Sequence, residues 1–101
     1  MIYVIAQLSI HDRARYERYA GAFMEVLRHH GGRLLVSDES PRVIEGTWPH
    51  DKVVVLSFAD EAAFEAWASS DAYRAIAVDR IAASEGPVLV VRGIAQTMRA
   101  P

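Results

Sequence analysis

Short runs rich in Ile, Val, Leu and Tyr alternate with two longer stretches whose apolar residues recur every three or four positions. A period of two marks a strand and a period near 3.6 marks a helix, so this order constrains the fold more than any other feature. Residues 2–10 read as a strand, and Asp12 follows as a cap for a helix over 13–30. That helix carries Tyr16, Ala20, Phe23 and Leu27 on one face, and Gly31-Gly32 ends it, because glycine enters the left-handed C′ conformation without steric penalty. Residues 33–37 are a second strand. A turn over 38–42 leads to a short extended piece at 43–46 and a loop at 48–51. The run Val53-Val54-Val55-Leu56 is β-branched and too short for a typical helix, which makes 52–58 a third strand.

Asp60 is placed to cap a second helix with Ala63, Phe64, Trp67 and Ala68 on one face. It is interrupted near Ser69-Ser70-Asp71, where Asp71 can cap a continuation to about Ala83 bearing Tyr73, Ile76, Ala77 and Ile81. Gly86-Pro87 breaks the chain before a last strand over 88–94. The order is β-α-β-β-α-β. It predicts an α+β, ferredoxin-like fold with helices on one face of a four-stranded antiparallel sheet. Two helices cannot cover both faces of a parallel sheet, which disfavours an alternating α/β fold.

Alternation divides the strands into two faces. Val4, Ala6, Leu8, Ile10, Leu34, Val36, Val54, Leu56, Phe58, Leu89 and Val91 form an apolar set expected under the helices. The opposite set still gathers Ile5, Leu35, Val53, Val55, Val88 and Val90, too apolar for a face that meets water throughout. Sheet-on-sheet pairing of two copies, a homodimer, is the expected cover; a monomer with scattered surface valines is the plainer alternative.

The chain has 101 residues, 51% of them hydrophobic and 24% charged, which fits a single packed domain over 1–95 with a loose tail at 96–101. The net charge of −2 disfavours nucleic acid, whose binding draws on an excess of Lys and Arg. With no Cys there is no disulfide, thiolate nucleophile or Cys-based zinc site, and a reducing, cytoplasmic setting is expected. Residues 2–8 are too short and too interrupted for a signal core, and no run approaches the roughly 18 apolar residues that cross a membrane.

Tyr3-Val4-Ile5-Ala6, Tyr16 and Tyr19, the segment from His30-Gly31-Gly32 to Val36, Ile44-Glu45-Gly46-Thr47-Trp48, the strand at 53–58, Trp67 with Ser70 and Tyr73, and Arg80 together resemble the DUF1330 family nearly to residue 94. The resemblance implies a ferredoxin-like domain that forms a dimeric α/β barrel. It implies similarity to the superfamily that includes cofactor-free antibiotic-biosynthesis monooxygenases, muconolactone isomerases and stress-responsive barrel proteins, and implies no established reaction. One departure, Ser69-Ser70-Asp71-Ala72-Tyr73 where the family more often has a Ser-Pro-Glu-Tyr-like turn, suggests a milder helix interruption.

Candidate chemistry is sparse. His11, His29, His30 and His50 lack the i, i+4 spacing of a zinc helix, so no metal is expected, and no nucleotide or serine-hydrolase motif suggests a cofactor or acyl enzyme. His30, on the apolar stripe at a helix C-terminus, is a proton-transfer candidate or a capping residue. Glu45, near Trp48, is a second proton-transfer candidate or the ion-pair partner of Arg33 or Arg80. Arg80 lies four residues from Ile76 and seven from Tyr73, so it shares their inward stripe and requires an anion, either Glu45, an acidic ligand or a carboxylate of a second subunit. Tyr19, Trp48, Trp67 and Tyr73 are candidate walls of a ligand pocket, or plain core. Three functions stay open: a small-molecule-binding dimer, a cofactor-independent oxygenase or isomerase, and a self-association domain.

Overall fold

A computed structural model describes residues 1–94 of the chain. The tail expected to be loose therefore lies outside the described residues. Asp12 starts the first helix by accepting a 3.2 Å hydrogen bond from the Arg15 N–H, and the chain leaves it through Gly31, whose φ is +77°. There the Gly32 N–H reaches the Leu27 carbonyl at 3.0 Å and the Gly31 N–H the Arg28 carbonyl at 3.1 Å, the paired closure of a Schellman motif. A side chain on Gly32 would collide with Leu27 and Phe58, so this glycine serves close packing.

The elements are β1 (Ile2–Ile10), α1 (Arg13–His29), β2 (Arg33–Asp38), β3 (Lys52–Phe58), α2 (Glu61–Ala68), α3 (Asp71–Ala83), β4 (Ser84–Glu85) and β5 (Val88–Arg92). The sheet is antiparallel, with β3 between β2 and β1, while β4 and β5 share the other edge of β1. This is the ferredoxin-like arrangement. Asp60 caps α2 as expected, but Ser70 and not Asp71 caps α3, its Oγ accepting from the Tyr73 N–H at 3.0 Å. The break at Ser69-Ser70 is complete rather than mild, since two residues stand between the helices. Residues 43–46 join no strand among the described residues and are exposed.

Two departures from simple alternation change which side chains face the helices. An extra residue in β2 shifts the register between Leu34 and Val36: Leu34 stands opposite Leu56, but Val36 opposite Val55 and Ser37 opposite Val54. Val36 therefore turns to the outer face and Ser37 to the helix face. In β5 the sets assigned from the sequence are inverted, because Val88 pairs with Ala6 and Val90 with Val4, leaving Leu89 and Val91 opposite Ile5 and Tyr3 on the outer face. The cause lies at Gly86-Pro87. Gly86 has φ +144°, a Cβ there would strike the Gln7 carbonyl oxygen, and Pro87 accepts from the Gln7 N–H at 3.0 Å. This step divides one edge strand into the short β4 and β5.

Val4, Leu8, Leu27, Leu56, Phe58 and Trp67 form the heart of the core between helices and sheet. By contrast β5 is exposed along its whole length. Arg15 and Arg18 of α1 clasp Asp79 of α3 at 2.9 and 3.4 Å, tying the helix pair together over the sheet.

Candidate functional site

The helices do not fill the space above the sheet. A cavity of about 260 Å³ remains, floored by β1 and β3 and roofed by α1, α2 and α3. Its placement follows from the elements already described: Tyr19 and Phe23 project from α1, Trp67 from the last turn of α2, and Tyr73 and Arg80, seven residues apart, from one face of α3.

These side chains touch. The Trp67 and Tyr73 rings lie 4.0 Å apart between centroids, Phe23 meets Trp67 edge-on at 6.1 Å, and the Tyr19 and Tyr73 hydroxyls are 3.0 Å apart. Arg80 donates from Nε to the Tyr73 hydroxyl at 3.4 Å, and its guanidinium carbon stands 5.9 Å from the Tyr19 ring centroid. Burial pushes the Tyr19 phenol far above the ordinary tyrosine value, with the adjacent Tyr73 oxygen adding to it, so this hydroxyl stays protonated. The Trp67 Nε1–H is buried without an acceptor among the described residues, an uncommon state for a buried donor.

Arg80 has no carboxylate within ion-pair distance among the described residues. Glu45 is exposed in the connection between β2 and β3 and does not line the cavity. His30 follows the last turn of α1, with Nδ1 2.9 Å from the Val26 carbonyl, and is also outside the lining. Trp48 packs at the outer face: its indole N–H donates to Gln7 Oε1 at 2.9 Å, and its ring meets His50 at 5.7 Å. The structure thus brings Tyr19, Trp67, Tyr73 and Arg80 together and leaves Glu45, His30 and Trp48 elsewhere.

Lys52 and Tyr16 were not singled out as site residues, yet both line the cavity. The Lys52 ammonium stands 4.8 Å from the Tyr16 ring centroid, and the residue is only 8% exposed. Parity carried the signal: Lys52 lies two and four residues before Val54 and Leu56, so it shares their helix-facing side.

An antiparallel sheet with helices on one face, in the strand order described above, defines a ferredoxin-like α+β protein. The chain belongs to the DUF1330 family, a domain of unknown function, whose model matches residues 1–94. Among solved structures it is similar to RPA0582, a protein of unknown function from Rhodopseudomonas palustris, at TM-score 0.79 and 16% identity, covering 91% of this chain and 81% of that one. It is also similar to SnoaB, a cofactor-independent oxygenase from Streptomyces nogalater, at TM-score 0.66 and 11% identity over 91% of each chain. A dimeric ferredoxin-like protein of unknown function from Jannaschia sp. CCS1 aligns at TM-score 0.63 and 18% identity, covering 89% of this chain and 94% of that one. At these identities the similarity shows the fold alone. No curated protein matches the chain in sequence. No helix among the described residues is long and apolar enough to cross a membrane.

Proposed function

We propose that this protein binds a small molecule in the cavity between its helices and sheet, and does so as a homodimer joined through the opposite sheet face. The observation that carries the binding reading is Arg80, a permanent cation lining an aromatic cavity, whose side chain among the described residues meets a tyrosine hydroxyl and a ring but no carboxylate. A guanidinium serving the core alone is ordinarily matched by a carboxylate. A cavity of about 260 Å³ is slightly below the usual range for ligand sites, about 300–1,000 Å³, and suits a molecule of one or two rings. Tyr19, Trp67, Tyr73 and Arg80 are the proposed contacts. Thermal-shift screening against small aromatic and acidic metabolites tests this, with Ala20→Phe, which fills the cavity, as the control. A compound that stabilises wild type and not the variant supports the reading; one that stabilises both equally does not bind there.

The dimer rests on the outer face, where Ile5, Val53 and Val55 adjoin the exposed Val36, Leu89 and Val91. Each 100 Å² of this surface buried on pairing contributes about 2.5 kcal/mol before the loss of translational and rotational freedom. The Jannaschia protein, described as dimeric, has the same fold. Sedimentation should give twice the 11.2 kDa of one chain; a single 11.2 kDa species at micromolar concentration contradicts it.

A second reading, cofactor-independent oxygenation or isomerisation, is favoured by the hydroxyl pair beside Arg80. If the Tyr19 hydroxyl donates to Tyr73, the Tyr73 oxygen accepts from both Tyr19 and Arg80, and its own proton is free to meet an oxyanion forming in the cavity. In this reading proton transfer falls to Tyr73, because Glu45 and His30 lie away from the lining. Turnover of a bound phenol or enone that Tyr73→Phe abolishes, with binding retained, would establish it.

A further inference from the structure

Among the described residues Lys52 is the one charged side chain that the fold buries. Removing an ammonium from water is costly unless a close, hydrogen-bonded anion compensates it. Its anion among the described residues is Glu39 at 3.9 Å, the outer limit of an ion pair. Glu39 is itself half-exposed and held more closely by Arg13, at 2.9 Å. Lys52 is thus a largely buried side chain whose ammonium has a distant, shared counterion.

Arg80 is the second cation of the cavity, and the two stand at the same end of it. Lys52 pairs with Leu8 near the end of β1. Arg80 lies one turn before Ala83, whose carbonyl accepts the His11 and Asp12 N–H groups at 2.9 and 3.1 Å where β1 passes into α1. Tyr16 and Tyr19, 5.7 Å apart, stand between them, Lys52 over the first ring and Arg80 near the second. Phe23, Phe64 and Trp67 make the rest of the wall apolar. Among the described residues no Asp, Glu, Asn or Gln lines the cavity, so the fixed polar groups they supply are donors and cations, apart from the hydroxyls. Among the described residues no glycine lines it, so it has no glycine-rich backbone cradle of the kind that suits a phosphate.

Taking the cavity as a binding site, we propose that its ligand is a small aromatic or branched carboxylic acid. The carboxylate seats between Lys52 and Arg80 and takes over from Glu39 as the counterion of Lys52. The apolar body lies against Phe23, Phe64 and Trp67.

Calorimetric titration of the full chain with phenylacetate and with phenylacetamide separates charge from shape, and inorganic phosphate is the third titrant. The acid is expected to bind at least about tenfold more tightly than the amide, and phosphate not to bind. Lys52→Gln should weaken acid binding about tenfold and shrink the preference to what Arg80 alone supports, with a cooperative thermal transition reporting that the variant is folded. Lys52→Arg should keep the preference, and Glu39→Gln should tighten acid binding by removing the competing carboxylate. Equal binding of acid and amide, an acid affinity unchanged in Lys52→Gln, or phosphate binding as tight as that of the acid overturns the carboxylate assignment and leaves the cavity reading standing. If phenylacetate, phenylacetamide and the corresponding indole acid and amide all fail to bind wild type, both readings fall.

Discussion

The two faces of the sheet carry similar side chains and meet different fates. On the helix side Val4, Leu8, Leu56 and Phe58 are buried under aromatic residues of all three helices, and the space left over is a cavity with two cations at one end. On the other side, which carries Ile5, Val53, Val55, Leu89 and Val91, Trp48 and His50 fold back onto Gln7 and Ser9, and β5 is exposed along its length. What separates the faces is the cover each receives, since valine and isoleucine populate both. In the reading proposed above, the helix face specifies the monomer and holds the site, while the outer face is the surface that pairs with a second copy.

Adjacent residues of β3 break this contrast most sharply. Leu56→Asp replaces a buried apolar side chain of the core with a carboxylate and should cost at least about 3 kcal/mol, enough to abolish cooperative thermal unfolding. Val55→Asp points outward, so it should leave the monomer folded, change its stability by less than about 1 kcal/mol and halve the sedimenting mass. If Val55→Asp unfolds the chain, or leaves the dimer intact, the division between faces is misplaced.

Gly86→Ala sharpens the comparison at the sheet edge. The added methyl meets the Gln7 carbonyl oxygen at a backbone angle that L-residues rarely adopt, and should lower stability by more than about 1 kcal/mol in urea titration. Trp48→Phe removes only the indole bond to Gln7 on the outer face and should cost about 0.5–1.5 kcal/mol with cavity binding unchanged.

The smallest effect is expected from Asp79, whose carboxyl is held below the ordinary aspartate value by hydrogen bonds from Arg15 and Arg18. A depressed folded-state pKa means that this clasp contributes above the unfolded aspartate pKa, about 3.9, and is lost as pH falls through the folded value. Asp79→Asn should therefore flatten the acid side of the stability–pH curve, and only slightly, because the clasp is solvent-accessible.

The element order was legible because each segment is strongly periodic and clearly punctuated, by Asp12, by Gly31-Gly32 and by Gly86-Pro87. The side-chain faces were legible only where alternation ran unbroken. In β1 and β3 parity identified the helix face, but the extra residue after Leu34 and the kink at Gly86 each shift it by one, and neither changes composition or hydropathy. Arg80, Tyr73 and Trp67 could be placed together from helical spacing. Lys52 was overlooked although the same parity that buries Val54 and Leu56 buries it. Glu45 and Trp48 are neighbours in sequence, yet the connection that carries them lies away from the cavity, and long connections have no period from which to read a direction.

The chain holds two tryptophans, Trp67 in the cavity wall and Trp48 on the outer face, so one spectrum reports on both faces. Titration of phenylacetate into ¹⁵N-labelled protein, following the two indole N–H resonances, tests the central claim most directly. A saturable shift of Trp67, with Trp48 unmoved, is the predicted result. A shift confined to Trp48, or none in either while the acid demonstrably binds, would contradict the assignment of the site to the helix face.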